Sequence, residues 1–173
     1  IMDFGALQCT PANPSCNDCP LRDECLSLAA GTVAERPVKA GRTRIRPRYL
    51  NYLHLECGGR IALRRRPEGD IWQGLYDLPA IESDRPLDFT ELAAAPPFRD
   101  MFGTLPYRLV RTIRMPKHQL SHQTLHAAYH RLALDAWPSA AGGWTLVPYE
   151  LLEDYAIPRL LDRYFERIGN SDS

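Results

Sequence analysis

Apolar residues recur along this chain with two different periods, and the change of period marks its elements. Residues 49–56 are rich in Tyr and Leu and predict a strand. Cys57-Gly58-Gly59-Arg60 is a hairpin turn signal, which makes residues 60–65 the return strand. A loop at residues 67–70 leads into 71–79, a segment that turns at Gly74 and resumes as a strand. Residues 87–95, with Leu87, Phe89 and Leu92, predict a short helix that Pro96-Pro97 stops. Strands are expected over 107–115 and 123–134. Ile157, Leu160, Leu161, Tyr164 and Ile168 fall on one helical stripe, with Pro158 in its first turn and Gly169 at its end. Hairpin, strand, helix, further strands and a final helix make an α+β domain.

Before residue 48 the pattern is different. Residues 1–8 have the character of the end of a helix. Residues 30–48 show no apolar periodicity and carry Gly31, Pro37, Gly41 and Pro47, the composition of a linker. The expected organisation is therefore 1–29, a piece containing a cysteine loop; 30–47, a connector; and 48–173, the α+β domain. Because the chain opens on Ile1 in what reads as mid-helix, it is expected to be the C-terminal portion of a longer protein. No run approaches the length of a membrane span.

Charge changes the picture in one respect. The 173 residues carry 21 basic and 21 acidic side chains, but unevenly. Residues 31–66 hold ten basic and two acidic groups, and residues 105–131 hold five basic and none acidic. Two basic blocks in a neutral chain can form one positive face for a polyanion. Arg42, Arg44, Arg46 and Arg48 alternate, so in extended backbone they share a side and can track a phosphate strand. The bland alternative is a row of solvated surface arginines.

Cys9, Cys16, Cys19 and Cys25 bring in the chemistry. Their gaps of six, two and five residues place four thiols in a short loop that Pro11, Pro14 and Pro20 keep out of helix. Such a set suits zinc or an iron–sulfur cluster. A structural zinc site more often pairs two Cys-x-x-Cys knuckles across a longer spacer, and here there is one, so the spacing leans toward a cubane cluster. A total of five cysteines, an odd number, argues against a disulfide framework. His118, His122, His126 and His130 recur every four residues, but no acidic residue lies among them and the zinc-protease motif is absent.

These features together resemble one family. The lead-in Ile1–Thr10 and the cysteine spacing are similar to the cluster loop of the helix-hairpin-helix DNA glycosylases, above all the MutY-type adenine glycosylases. Arg64-Arg65-Arg66-Pro67 followed by residues 71–79, and Trp144 followed by residues 149–158, resemble that family's Nudix-like C-terminal domain. Endonuclease III types lack such a domain. The resemblance implies a 4Fe–4S cluster on Cys9, Cys16, Cys19 and Cys25, with Cys57 dispensable. It also implies a base-excision-repair hydrolase that removes adenine opposite 8-oxoguanine in double-stranded DNA, as a monomer in the cytoplasm, at the bacterial nucleoid. Lys117-His118-Gln119-Leu120-Ser121-His122 matches the loop that contacts 8-oxoguanine in that family. Ser121 and His122 match its Ser-His and Leu120 stands where Phe is usual. The bland reading of this loop is a polar turn between strands. Lys117 and His118 join the arginines as DNA contacts. The glycosylase's catalytic Glu and Asp are expected upstream of Ile1, which predicts that this chain alone is inactive. Two alternatives stand beside this reading. One is a non-catalytic Nudix-like binding module with a zinc loop. The other is a Nudix pyrophosphohydrolase, disfavoured because Asp77, Glu82, Asp84 and Glu91 do not form the required acidic helix.

Overall fold

The computed structural model describes residues 2–36 and 45–169. The chain forms two compact units, divided between residues 44 and 45.

The first unit is made of short pieces. Helix α1 (Met2–Gln8) is followed by 3-10 turns at Cys16–Asp18 and Arg22–Glu24, helix α2 (Leu26–Ala29) and a 3-10 turn at Val33–Glu35. None of its described side chains is fully buried. Local hydrogen bonds hold its course. Ser15 N–H donates to the Gln8 carbonyl at 3.2 Å, and Gln8 Nε2 donates back to the Ser15 carbonyl. A staircase follows in which Cys19, Arg22 and Cys25 each donate to the carbonyl three residues earlier.

The second unit is an eight-stranded mixed sheet. Its strands are β1 (Arg46–Cys57), β2 (Arg60–Arg65), β3 (Tyr76–Asp77), β4 (Ala80–Ser83), β5 (Tyr107–Arg114), β6 (His118–Gln119), β7 (Gln123–Leu134) and β8 (Thr145–Pro148). The main order is β3-β2-β1-β7-β5; β4 pairs with β1, β6 with β7 and β8 with β2. Among the described strands only β1 and β7 run parallel, from Arg46 opposite Gln123 to Glu56 opposite Ala133. Both faces of the sheet are covered, which is why β1 and β7 are long and apolar with little alternation. On one face Leu50, Tyr52, Leu125 and Tyr129 pack against Leu160, Leu161, Tyr164 and Ile168 of α5 (Arg159–Gly169). On the other, Leu53, Leu55, Leu132 and Leu134 pack against α3 (Phe89–Ala94) and α4 (Pro96–Phe102) through Leu92, Phe98 and Phe102.

The α+β expectation, the hairpin and the last helix are as the pattern predicts. Gly58 and Gly59 take φ of 56° and 72° at the β1–β2 turn, the left-handed pair that a tight hairpin needs. Three details differ. Strand β1 begins at Arg46, inside the stretch taken for connector, because β7 offers it partners from Gln123 onward. Pro96 does not end the helical region; it opens α4, where a missing N–H costs nothing, after an extended Ala95. Strand β8 was not anticipated: four residues without strong alternation are held by pairing with β2. No described helix is long and apolar enough to cross a membrane.

Candidate nucleic-acid interface and thiolate cavity

The motif Lys117–His122 forms the outgoing strand and tip of a small hairpin. His118 and Gln119 pair with Leu125 and Thr124 of β7. Across the tip, Leu120 N–H donates to the Gln123 carbonyl at 2.8 Å, and Thr124 Oγ1 donates to Gln119 Oε1 at 2.8 Å. Leu120 turns inward and packs on the α5-side core, which leaves Ser121 and His122 exposed at the apex, with Lys117 exposed before them. The Arg46 N–H donates to the His122 carbonyl at 3.1 Å, so the first residue of β1 is clipped to this tip. His118 is half-buried, its ring 6.1 Å from that of Trp72. Trp72 in turn carries the Arg66 guanidinium at 5.5 Å from its ring centre, and it holds a left-handed φ of 57°. The contact with His118 shows that Trp72 backs the hairpin.

Arg42 and Arg44 lie outside the described residues. Arg46 is exposed and makes no ion pair with a described residue. Arg48, expected with the others to face phosphate, clasps Glu82 with two hydrogen bonds, of 2.8 and 2.7 Å, and Asp70 with one of 2.9 Å. Asp70 also meets Arg66, and Arg66 meets the buried Asp77, each at 2.9 Å. The Glu82 hydrogen bond, stronger than the burial that opposes it, raises the Arg48 pKa. Burial pushes the Asp77 carboxyl up to about 6 against the pull of Arg66. A cavity of about 180 Å³ is lined by these groups and by Arg64. Its carboxylates are committed to guanidiniums, while Glu91 completes a capping box with Asp88 at the start of α3. The four regularly spaced histidines do not gather either: His126 stacks on Tyr49 at 4.9 Å, and His130 is buried against Thr112.

In the first unit Cys9, Cys16, Cys19 and Cys25 line one cavity of about 320 Å³, together with Arg22 and Arg36. All four are free thiols. Among the described residues no group of three or more His, Cys, Asp or Glu converges as the ligands of a single ion do. A zinc ion needs its sulfurs about 2.3 Å from one centre. A cluster of several irons takes one cysteine on each and spreads them round a larger body, a donor set that these four thiols also offer.

Comparison with known proteins places this geometry. A NUDIX domain family model matches residues 51–167, about two thirds of the chain. An adenine DNA glycosylase of Buchnera aphidicola subsp. Schizaphis graminum is 30% identical over 83 residues, covering 48% of this chain and 24% of that protein. The adenine DNA glycosylase of Arabidopsis thaliana is 28% identical over 95 residues, covering 47% and 15%. That of Buchnera aphidicola subsp. Baizongia pistaciae is 27% identical over 128 residues, covering 73% and 34%. The chain thus spans about a third or less of the length of these relatives. In fold it is similar to the C-terminal domain of mouse MUTYH, from its complex with human PCNA, with a TM-score of 0.55 at 19% identity over 72% of this chain and 89% of that one. A MutT protein from Methanosarcina mazei gives 0.51 at 16% identity, covering 75% and 97%. The resemblance to the C-terminal part of MutY-type adenine glycosylases is borne out by these likenesses, and the chain belongs to the NUDIX domain family.

Proposed function

We propose that this chain is the C-terminal part of an adenine DNA glycosylase of base excision repair, and that its second unit recognises 8-oxoguanine opposite the adenine to be removed. The observation that carries this is the exposed Ser121–His122 apex clipped to Arg46. It joins a side chain able to read a base edge to a cation able to hold a phosphate. The Ser121 hydroxyl both donates and accepts, and 8-oxoguanine differs from guanine in offering an N7–H and a C8 oxygen. Arg46, Lys117 and His118 hold the backbone without regard to sequence. The thiolate cavity is assigned to a 4Fe–4S cluster on Cys9, Cys16, Cys19 and Cys25. The carboxylates that excise adenine are assigned to the part of the glycosylase upstream of this chain. Pyrophosphate hydrolysis has no support here, because Asp70, Asp77 and Glu82 are tied to Arg48 and Arg66. The test is binding of this chain to three duplexes that differ only at one pair. It should bind 8-oxoguanine:adenine more tightly than guanine:adenine or guanine:cytosine and should remove no adenine. Equal affinity for all three would overturn the recognition role.

A further inference from the structure

Strand β5 (Tyr107–Arg114) lies at the end of the sheet, and among the described residues no strand pairs with its outer edge. Its side chains are unusual for an edge: Tyr107, Leu109 and Val110 are 38%, 39% and 42% exposed. A register shift between Leu109 and Arg111 pushes Val110 out of the ladder. Beyond the bulge, Arg111 pairs across the strand with Arg131. Arg131 is engaged by Glu56 at 2.7 Å, whereas neither Arg108, Arg111 nor Arg114 meets a carboxylate of a described residue. Glu56 offsets the charge of Arg131, which leaves Arg111 as the guanidinium of this pair without a carboxylate among the described residues.

We propose that the outer edge of β5 docks an extended acidic segment of a partner protein, which adds as a further strand beside Arg111–Arg114 and covers Val110. Strand addition satisfies the open N–H and C=O groups of an edge, and alternate side chains then set specificity. The charge selects the occupant. A second copy of this chain would bring arginine against arginine, the arrangement by which edges refuse their own kind. A nucleic-acid backbone complements the guanidiniums but offers no donors to the strand's carbonyls. Acidic side chains of the segment belong on the Arg111 face rather than at the start of the strand, where Asp135 shares a cavity with Tyr107 and Arg108; Arg114, three residues on, faces the other side of the sheet and donates to the Leu87 carbonyl.

The probe is a short synthetic peptide alternating Asp or Glu with Val, titrated into this chain while backbone amides are followed by NMR and hydrogen exchange. The amides of Arg111–Arg114 should shift and gain protection. Arg111→Glu should weaken the peptide about tenfold, since an exposed ion pair is replaced by a repulsion. A peptide of the same charge with alternate amides N-methylated should lose binding, a comparison that needs no altered protein. The proposal is overturned if the N-methylated peptide binds as well as its parent, if no amide of β5 responds, or if undamaged duplex DNA claims the same amides and displaces the peptide.

Discussion

Arg46 and Arg48 sit two residues apart on one strand and end in different chemistry. Their alternation was visible in the sequence, and so was their shared side of the strand. The partners of Arg48 were not, because Asp70 and Glu82 reach it only through the fold. The two should therefore separate on substitution. Arg48→Ala leaves Glu82 without its cation and Asp70 with Arg66 alone, and should cost about 1–3 kcal/mol, read as a lowered urea midpoint. Arg46→Ala should stay within about 0.5 kcal/mol of the parent in stability. It should instead weaken binding to every duplex alike and reduce the salt dependence by about one phosphate contact. The hairpin apex behaves differently again. Replacing Ser121 and His122 with Ala in the full-length glycosylase should erode the preference for 8-oxoguanine over guanine opposite adenine. A base-edge pair discriminates by about 1–3 kcal/mol, so the ratio should fall roughly tenfold. An unchanged ratio with weaker overall binding would make the apex an anchor only.

At the scale of elements, strongly patterned segments were legible and segments defined by their neighbours were not. The β1–β2 hairpin announces itself through Gly58-Gly59, and α5 through its stripe. By contrast β8 owes its shape to β2, and α4 depends on Pro96 being at a helix start, which sequence cannot distinguish from a stop without knowing what Phe98 and Phe102 pack against. The histidine row failed for a related reason. Spacing puts His126 and His130 on one side of β7, but the strand's length separates their surroundings, and His130 ends fully buried between β5 and α3, bonded to Thr112 at 3.0 Å. Burial, with Arg114 nearby, pushes its pKa from 6.5 down to about 4. Folding thus favours neutral His130, and the unfolded chain binds the extra proton between those values. Its contribution to stability is full above about pH 6.5 and is lost as the pH falls toward 4, by about 3 kcal/mol. Asp77 has the opposite sign, since its raised pKa favours the protonated form in the folded state. The comparison that isolates His130 is therefore urea midpoints of the parent and of His130→Gln from pH 7 to 4.5. The parent should lose more stability on acidification, and parallel curves would remove His130 from the account.

Taken as a whole, the molecule joins two units that achieve order by different means. The second has a two-sided core with Tyr52, Leu53, Leu55, Leu63, Leu125 and Leu132 almost wholly enclosed. The first has no fully buried described side chain, and Leu7 and Leu26 stand more than 80% exposed, at 83% and 84%. A unit of 44 residues with so little buried surface lies near the size at which a metal, disulfides or a partner is usually needed. In the proposed function the four thiols round one cavity supply the first of these. Metal-site free energy is folding free energy when no site exists in the unfolded chain. Loading and removing the cluster should consequently act on the first unit and leave the second untouched. In anaerobic reconstitution with iron and sulfide, the chain should gain the brown colour of a cluster and become resistant to proteolysis between Cys9 and Cys25. Oxidative loss of the cluster should restore cleavage there, with no change in the thermal unfolding of the sheet. Cys→Ser at position 9, 16, 19 or 25 should abolish loading, and Cys57→Ser, at the end of β1, should not. Stoichiometric zinc without iron in the full-length protein would overturn the cluster assignment. A sheet that melts earlier when iron is withdrawn would show that the two units are not energetically separate.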